Sequence, residues 1–209
     1  MNKVPTCPIC KTEKCLVLAP HSDDAEIGCG GIISRFLREG KEVHIAIFGL
    51  AYKATTAEIY KAVNRLGVSK ENVIYQPFTS REFGKDRQEI LELMLFIKKE
   101  INPDLVFLPV SEDIHQDHQT IHQEGLRAFK DRSILGYEYP WNNFTIGVNY
   151  FFRLQDEDIK RKVKAIKEYK SQRDKDYMRE DFIKSWAKLR GIQIKEKYAE
   201  AFEAIRIIK

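Results

Sequence analysis

The chain has 209 residues, of which 43% are hydrophobic, 35 are basic and 31 are acidic, giving a formal net charge of +4. This length and composition are sufficient for one domain with a full core. The nearly balanced charge does not indicate a nucleic-acid-binding protein, which usually concentrates basic residues on one face. No apolar run approaches the ~20 residues of a membrane span, and the first residues lack the apolar core of a signal peptide. We therefore expect a cytoplasmic protein with no membrane span.

The first 14 residues are interpreted as a leader, and residues 15–209 as one domain. Cys7 and Cys10 of the leader form a CxxC motif, and all four cysteines lie near the start of the chain, which is a poor disulfide framework. A structural zinc site requires four ligands, so Cys15 or a neighbouring subunit would have to complete one here. The alternative is an exposed cysteine pair that binds no metal.

Short apolar runs alternate with amphipathic segments along most of the chain. Strands are predicted at 16–19, 43–48, 72–75 and 105–108, and helices at 32–40, 56–66, 86–101 and 118–130. Aromatic residues in 133–154 indicate mixed strand and loop, the chain from 156 is lysine-rich and helical, and 202–208 is strand-like. Alternation of this kind predicts βαβ units, and hence an α/β fold with a mainly parallel sheet flanked by helices.

A first polar cluster follows the first predicted strand. Pro20 ends the strand, and His21, Asp23 and Asp24 come next, followed by glycines at 28, 30 and 31. Ligands bind at the carboxyl edge of open α/β sheets, so this cluster is expected at a site, beside a glycine-lined turn. The alternative is a purely structural role, in which the two aspartates cap the next turn, but this leaves the histidine unexplained. The glycines do not form a dinucleotide motif, because position 33 is isoleucine, and they are expected to permit close backbone packing.

A second polar cluster, His115, Asp117 and His118, follows the fourth predicted strand. It should lie at the same sheet edge as the first cluster. Alone it could also be the solvated start of a helix, with Asp117 as the cap.

Together the two clusters contain the parts of a metal-dependent hydrolase. A catalytic zinc ion usually has three protein ligands, which His21, Asp24 and one of the two later histidines supply. Asp23 is placed to take the proton of a bound water, and the remaining histidine to stabilise an oxyanion, oriented by Asp117. These roles indicate metal-assisted hydrolysis of an amide or ester.

The pattern PHSDDAEIGCGG followed by DIHQDH resembles the PIG-L/LmbE-like zinc-dependent deacetylases. Further landmarks are LGV at 66–68, PDLVFLP at 103–109, YKSQ at 169–172 and KYAEAFE at 197–203. The resemblance implies a Rossmann-like three-layer fold and removal of an N-acyl group, usually acetyl, from N-acetylglucosamine-type sugars or sugar conjugates. It also implies a homo-oligomer and Zn²⁺, with another divalent transition metal possible.

The resemblance assigns a role to six positions of this chain. It implies the metal ligands His21, Asp24 and His118, the general base Asp23, the oxyanion-stabilising His115 and its orienting partner Asp117. The chain departs from the common pattern in having Ser22 and Ala25, with an acid one residue later. Many sugar-specific members also have an arginine near positions 54–55, where this chain has alanine and threonine, and Arg81 or Arg87 could replace it.

Four residues are candidates for substrate binding: Arg81, Lys53, Tyr137 and Trp141. For each the bland alternative is a solvated cation or a core aromatic. His122 is expected on a helix surface, and the lysines of 160–175 on a solvated helix face. Two other functions stay open: an amidase acting on a non-sugar N-acylated molecule, and a non-catalytic nucleotide- or nucleic-acid-binding module that uses the CPIC motif.

Overall fold

The structure is a computed structural model that describes residues 8–145 and 147–208. The expected cysteine pair lies outside the described residues, since Cys7 precedes them and the side chain of Cys10 is not described. Ile9, by contrast, is buried in the core just ahead of the first strand.

Seven strands and six α-helices make up the described part of the chain. The strands are β1 (Lys14–Ala19), β2 (Glu42–Ile47), β3 (Val73–Tyr75), β4 (Leu105–Pro109), β5 (Ser133–Tyr137), β6 (Tyr150–Leu154) and β7 (Tyr198–Arg206). The helices are α1 (Asp24–Arg38), α2 (Thr56–Leu66), α3 (Arg87–Ile101), α4 (Gln116–Ala128), α5 (Asp156–Ile166) and α6 (Glu180–Gln193). Short 3₁₀ segments lie at Pro8–Lys11, Lys70–Asn72, Lys170–Gln172 and Asp176–Met178.

The strands form one sheet in the order β3-β2-β1-β4-β5-β7-β6. The first five strands are parallel, and β7 is antiparallel to both β5 and β6. This confirms the α/β fold with a mainly parallel sheet. Among the described residues, no helix combines the length and the apolar composition needed to cross a membrane.

The sheet is covered on both faces, which explains the continuous apolar runs. Along β1, Val17 packs in the cluster that includes side chains of α1, α2 and α5, whereas Leu16 and Leu18 pack in the cluster with side chains of α3 and α4. The fold is thus the three-layer arrangement that the family resemblance implies.

The order in which successive strands are added to the sheet changes direction between β1 and β4. Strands β2 and β3 extend the sheet on one side of β1, and β4 and β5 extend it on the other. Ligands bind outside the carboxyl ends of strands at such a point. The loops that follow β1 and β4, which contain the two polar clusters, therefore lie side by side.

Helix α1 begins eight residues earlier than predicted, at Asp24, so the glycines lie inside a helix and the predicted glycine-lined turn is wrong. Glycine in a helix interior costs about 1 kcal/mol relative to alanine. Close packing explains its use here: a Cβ atom at Gly28 would lie 2.5 Å from Cδ2 of Tyr137, and one at Gly31 would lie 2.4 Å from Cδ1 of Leu154.

Candidate metal and catalytic site

The loop after β1 and the loop and helix start after β4 bring the two predicted clusters into contact. His21, Asp24 and His118 are all buried, and one potential ligand atom from each lies within 4.8 Å of the others. A second group, His21, His115 and Asp117, meets the same criterion and shares His21 with the first. Residues almost a hundred positions apart thus form one site.

Asp24 lies at the centre of the first group. Its Oδ2 is 3.2 Å from Nδ1 of His21 and 3.4 Å from Nε2 of His118. The same oxygen accepts a 2.7 Å hydrogen bond from the backbone N–H of His21. Asp24 is therefore held in place by its own turn while it faces both imidazole rings.

Each of these histidines is held by a second carboxylate through its other ring nitrogen. His21 Nε2 lies 3.0 Å from Oδ2 of Asp117, and His118 Nδ1 lies 2.7 Å from Oδ2 of Asp113. Metal-binding histidines are usually oriented in this way. Asp113 was not among the residues predicted from the sequence, although its position in a DxHxDH pattern was a usable signal.

The contacts of Asp117 differ from the prediction that its carboxylate orients His115. That carboxylate instead contacts His21 and accepts a 2.6 Å hydrogen bond from the backbone N–H of Arg81. His115 is held by the backbone of Asp117, whose N–H donates to His115 Nδ1 over 3.2 Å. The reason is local: His115, not Asp117, is the N-cap of α4, so its ring folds back over the first helical N–H groups.

These contacts favour the charged forms of both histidines in the metal-free protein. Burial by itself lowers the pKa of His21, but hydrogen bonds to Asp117 and Asp24 outweigh it and raise the pKa to about 9. Burial also lowers the pKa of His118, but the charge of Asp24 and the hydrogen bond to Asp113 raise it to about 10. The positive histidines in turn hold the pKa of Asp24 well below its usual range, against the effect of burial.

In Asp23 and His115, by contrast, burial and neighbouring charges favour the uncharged form. Burial, followed by the charge of Asp24, raises the pKa of Asp23 to about 6, although the charge of Lys175 opposes this. Asp23 is the N-cap residue of α1, but its side chain makes no capping hydrogen bond. Helix capping therefore does not explain why an aspartate stands at this position. Burial and the charges of His118 and His21 lower the pKa of His115 and so favour its neutral form.

A cavity of about 480 Å³ opens onto these groups. Arg81 and Trp141, two of the four candidates for substrate binding, line it. Trp141 stacks on Tyr177, with ring centroids 4.3 Å apart and an interplanar angle of 10°. The lining also includes residues that the sequence analysis did not select, among them Leu50, Tyr52, Ser80, Tyr139, Asn142 and Lys175.

The other two candidates for substrate binding do not line this cavity. Tyr137 is fully buried, and its hydroxyl donates to the carbonyl oxygen of Leu18 over 2.8 Å. Tyr139, which lies two residues nearer the carboxyl edge of the sheet, lines the cavity instead of Tyr137. Its ring centroid is 5.3 Å from that of His118. Lys53 places its ammonium group 5.2 Å from the ring centroid of Tyr52, and Tyr52 is the residue that lines the cavity.

Three further expectations about charged residues are corrected by the structure. His122 is buried rather than exposed, with Nδ1 2.7 Å from the carbonyl oxygen of Pro109. Lys162 is buried and pairs with Glu200 at 2.7 Å instead of lying on a solvated face. Arg87 pairs with Glu124 and does not line the cavity, so of the two arginines considered as replacements near positions 54–55, Arg81 is the one that reaches it.

Comparison with known proteins gives consistent results. Residues 16–129 match the model of the family PIG-L, described as GlcNAc-PI de-N-acetylase. The chain is 25% identical over 173 residues to an uncharacterized deacetylase, YaiS, of Escherichia coli K12, with 77% of this chain and 92% of the relative covered.

Solved structures with the same fold include enzymes of different activities. The N,N'-diacetylchitobiose deacetylase of Pyrococcus horikoshii superimposes with a TM-score of 0.76 at 24% identity, covering 94% of this chain and 85% of the other. GalB, the 4-carboxy-2-hydroxymuconate hydratase of Pseudomonas putida KT2440, superimposes with a TM-score of 0.75 at 17% identity, covering 94% and 98%. At these identities the superpositions show the fold alone. The match of the family model over more than half of the chain, including both polar clusters, shows that this protein belongs to the PIG-L family.

Proposed function

We propose that this protein is a metal-dependent hydrolase that removes the N-acetyl group from an N-acetylated amino sugar or sugar conjugate. The observation that carries the proposal is the convergence of His21, Asp24 and His118 beside Asp23, at the base of an open cavity. Membership of the PIG-L family and the similarity to a deacetylase of E. coli support it.

The donor set fits a catalytic divalent metal ion. Two imidazole nitrogens and one carboxylate oxygen are a known ligand set for catalytic zinc, and the carboxylates behind both rings suit metal binding. We propose Zn²⁺ as the ion. When bound, such an ion supplies a Lewis acid for the acyl carbonyl and lowers the pKa of water towards neutrality.

Asp23 is the proposed general base. It lines the cavity next to a proposed ligand, and in the metal-free protein burial raises its pKa to about 6, within the range that suits a proton acceptor near neutral pH. Asp23 takes the proton of the attacking water. The water oxygen bonds to the carbonyl carbon, and the C–N bond of the tetrahedral intermediate then breaks as the nitrogen takes up the proton held by Asp23, which yields acetate and the free amine.

His115 is the proposed hydrogen-bond donor to the oxyanion of the tetrahedral intermediate. Its Nδ1 accepts from the backbone of Asp117, so in the neutral ring the proton is on Nε2, the nitrogen that remains for the cavity. A donor of this kind typically contributes 10²–10³-fold to turnover. Asp113 and Asp117 are positioning residues, because they contact His118 and His21 and line no part of the cavity.

The proposal is tested by the metal content of the purified protein, together with amine release from a panel of N-acetylated sugars. We expect His118→Ala to lose the metal, and Asp23→Asn to retain it but release no amine. His44→Ala is the matched control, because His44 lies on β2 beside Glu42 and does not line the cavity. Metal that persists in His118→Ala and disappears when Cys7 and Cys10 are replaced would instead support the CPIC binding-module hypothesis.

Two further proposals concern the substrate class and the oligomeric state. N-acetylated amino acids in the amine-release panel distinguish an amidase acting on non-sugar substrates from a sugar deacetylase. The homo-oligomer implied by the family is tested by light scattering, where a monomeric mass would contradict it.

A further inference from the structure

Three consecutive residues, Leu50, Ala51 and Tyr52, form one wall of the cavity, which we call the 50–52 wall. They lie between β2 and α2, outside any strand or helix, so no sheet or helix ladder fixes their position. Lys53, the next residue, has a φ of 62°, a left-handed conformation that a non-glycine residue keeps only where its surroundings hold it there. The position of the 50–52 wall therefore depends on contacts from other parts of the chain.

Side chains from three distant segments bind the backbone of the 50–52 wall. In its middle, the backbone N–H of Ala51 donates to Oγ of Ser22 over 3.1 Å. The hydroxyl of Ser80 donates to the carbonyl oxygen of the residue before Ala51 over 2.7 Å. Nε2 of Gln172 donates to the carbonyl oxygen of the residue after it. Each residue of the wall is thus held by one hydrogen bond from elsewhere in the chain.

Ser22 is the member of this set that belongs to the loop with the reactive groups. It stands between His21, a proposed metal ligand, and Asp23, the proposed base, and it is fully buried. Its carbonyl oxygen accepts a hydrogen bond from the hydroxyl of Tyr169, so both its backbone and its side chain are held. The hydrogen bond from Ala51 therefore joins the 50–52 wall directly to the proposed metal and catalytic site.

The segment that contains Tyr169 completes a closed set of contacts. Gln172, three residues later, binds the 50–52 wall. Ser171 binds Glu58 in the first turn of α2, through its N–H at 2.9 Å and its hydroxyl at 3.0 Å. The loop after β1, the 50–52 wall and this segment thus each contact the other two. Because none of the three can shift without breaking a hydrogen bond, the wall has a defined position relative to the metal site.

The roles proposed above for the reaction leave Ser22 unused, and its side chain does not line the cavity. We propose that Ser22 is a positioning residue for the deacetylation, whose hydroxyl holds the 50–52 wall in the place where a bound substrate presents its N-acetyl carbon to the attacking water. Positioning of this kind has a large effect on rate, since a misplacement of about 1 Å can cost ~10²-fold. This inference rests on the proposed function and adds a residue that acts on it through the cavity wall.

The first test measures kcat and KM per zinc-loaded molecule, with the fastest-cleaved sugar of the panel described above. Ser22→Ala should lower kcat/KM about 10–100-fold with unchanged zinc affinity, because it releases the wall but removes no ligand. Ser133→Ala is the matched control. Oγ of Ser133 accepts a 3.0 Å hydrogen bond from the backbone N–H of Ile208 at the amino end of β5, away from the cavity, so this variant loses the same kind of bond. Equal kinetic constants in the two variants would overturn the inference.

A double variant distinguishes positioning from a general loss of structure. Ser22 and Gln172 hold the same wall, so Gln172→Met should also lower kcat/KM. Residues that act as a unit have non-additive effects, so the loss in Ser22→Ala/Gln172→Met should be well below the product of the two single losses. Losses that multiply would mean that the two side chains act independently, which contradicts a shared role in holding the wall.

Hydrogen exchange separates this inference from the proposed function, because it requires no turnover. The amide of Ala51 should exchange about tenfold faster in Ser22→Ala than in the wild type or Ser133→Ala, since it loses its acceptor. Equal exchange in all three proteins overturns the inference. Amine release at the wild-type rate by Ser22→Ala also overturns it and leaves the proposed function intact. Absence of amine from every sugar counts against the proposed function, and the exchange rates then decide whether Ser22 holds the wall.

Discussion

Asp113 provides the sharpest test of how the site is held together. This carboxylate is almost fully buried, contacts His118 Nδ1 at 2.7 Å, and accepts a 2.8 Å hydrogen bond from the backbone N–H of His115. Asp113→Ala removes both contacts, so His118 loses the group that fixes its ring, and a backbone N–H loses its acceptor. We expect a weaker metal site and a less stable fold.

The two effects have separate magnitudes. Loss of the carboxylate behind a metal-binding histidine typically lowers metal affinity 10–100-fold, or about 1.4–2.8 kcal/mol. A buried N–H left without an acceptor costs about 1–3 kcal/mol of unfolding free energy. Asp113→Asn should be milder, because its amide oxygen can still accept from one of the two partners.

Competition with a chromophoric zinc chelator measures the affinity, and chemical denaturation of the metal-free protein measures the stability. Glu112→Gln is the control, since the adjacent Glu112 is exposed and does not line the cavity. A folded Asp113→Ala protein that binds zinc as tightly as the wild type would refute the reasoning that Asp113 orients His118.

Three further predictions follow from the site and its packing. His115→Ala should lower kcat about 10²–10³-fold with little loss of metal, and equal metal loss in His115→Ala and His118→Ala would contradict this division of roles. The pKa values of His21 and His118 are raised to about 9 and about 10, so protonation of these histidines stabilises the metal-free fold. This stabilisation is complete below pH 6.5, the ordinary pKa of histidine, and is lost as the pH rises through 9 and 10. Zinc must then displace about two protons at neutral pH and bind more tightly as pH rises, which calorimetry in buffers of different ionisation enthalpy measures; binding without proton release would contradict the assignment. Gly28→Ala should destabilise the fold by about 1–3 kcal/mol in chemical denaturation because of its contact with a tyrosine ring, while Gly84→Ala, with open space around it, should not; equal stabilities would show that the ring yields.

The architecture and the place of the site were accessible from the sequence. Apolar runs of strand length, alternating with amphipathic segments, predicted the parallel sheet, and the fold confirms it. Because parallel strands end at one edge, the polar residues after 19 and 109 were predicted to meet, and His21, Asp24 and His118 do. The resemblance to the PIG-L family is likewise confirmed.

Local sequence signals predicted the wrong structure for the glycines at 28, 30 and 31 and the wrong tyrosine for the cavity. Glycine usually marks a turn, so the glycines at 28, 30 and 31 were predicted in one, but they lie inside α1, where Gly28 packs closely against Tyr137. The same packing buried Tyr137 and left the cavity to Tyr139. Residue type shows that an aromatic is available, whereas its distance from the sheet edge decides whether it can reach a ligand.

The sequence by itself thus determined which elements form, in what order, and at which edge the reactive groups collect, because hydrophobic periodicity and strand direction are local properties of the chain. Only the tertiary structure decided which carboxylate holds His21: Asp117 contacts its Nε2 across 96 positions of sequence. It likewise brought Lys175 to the cavity from a lysine-rich segment. Contacts of this kind depend on how distant segments pack, and the pattern around any one residue does not contain that information.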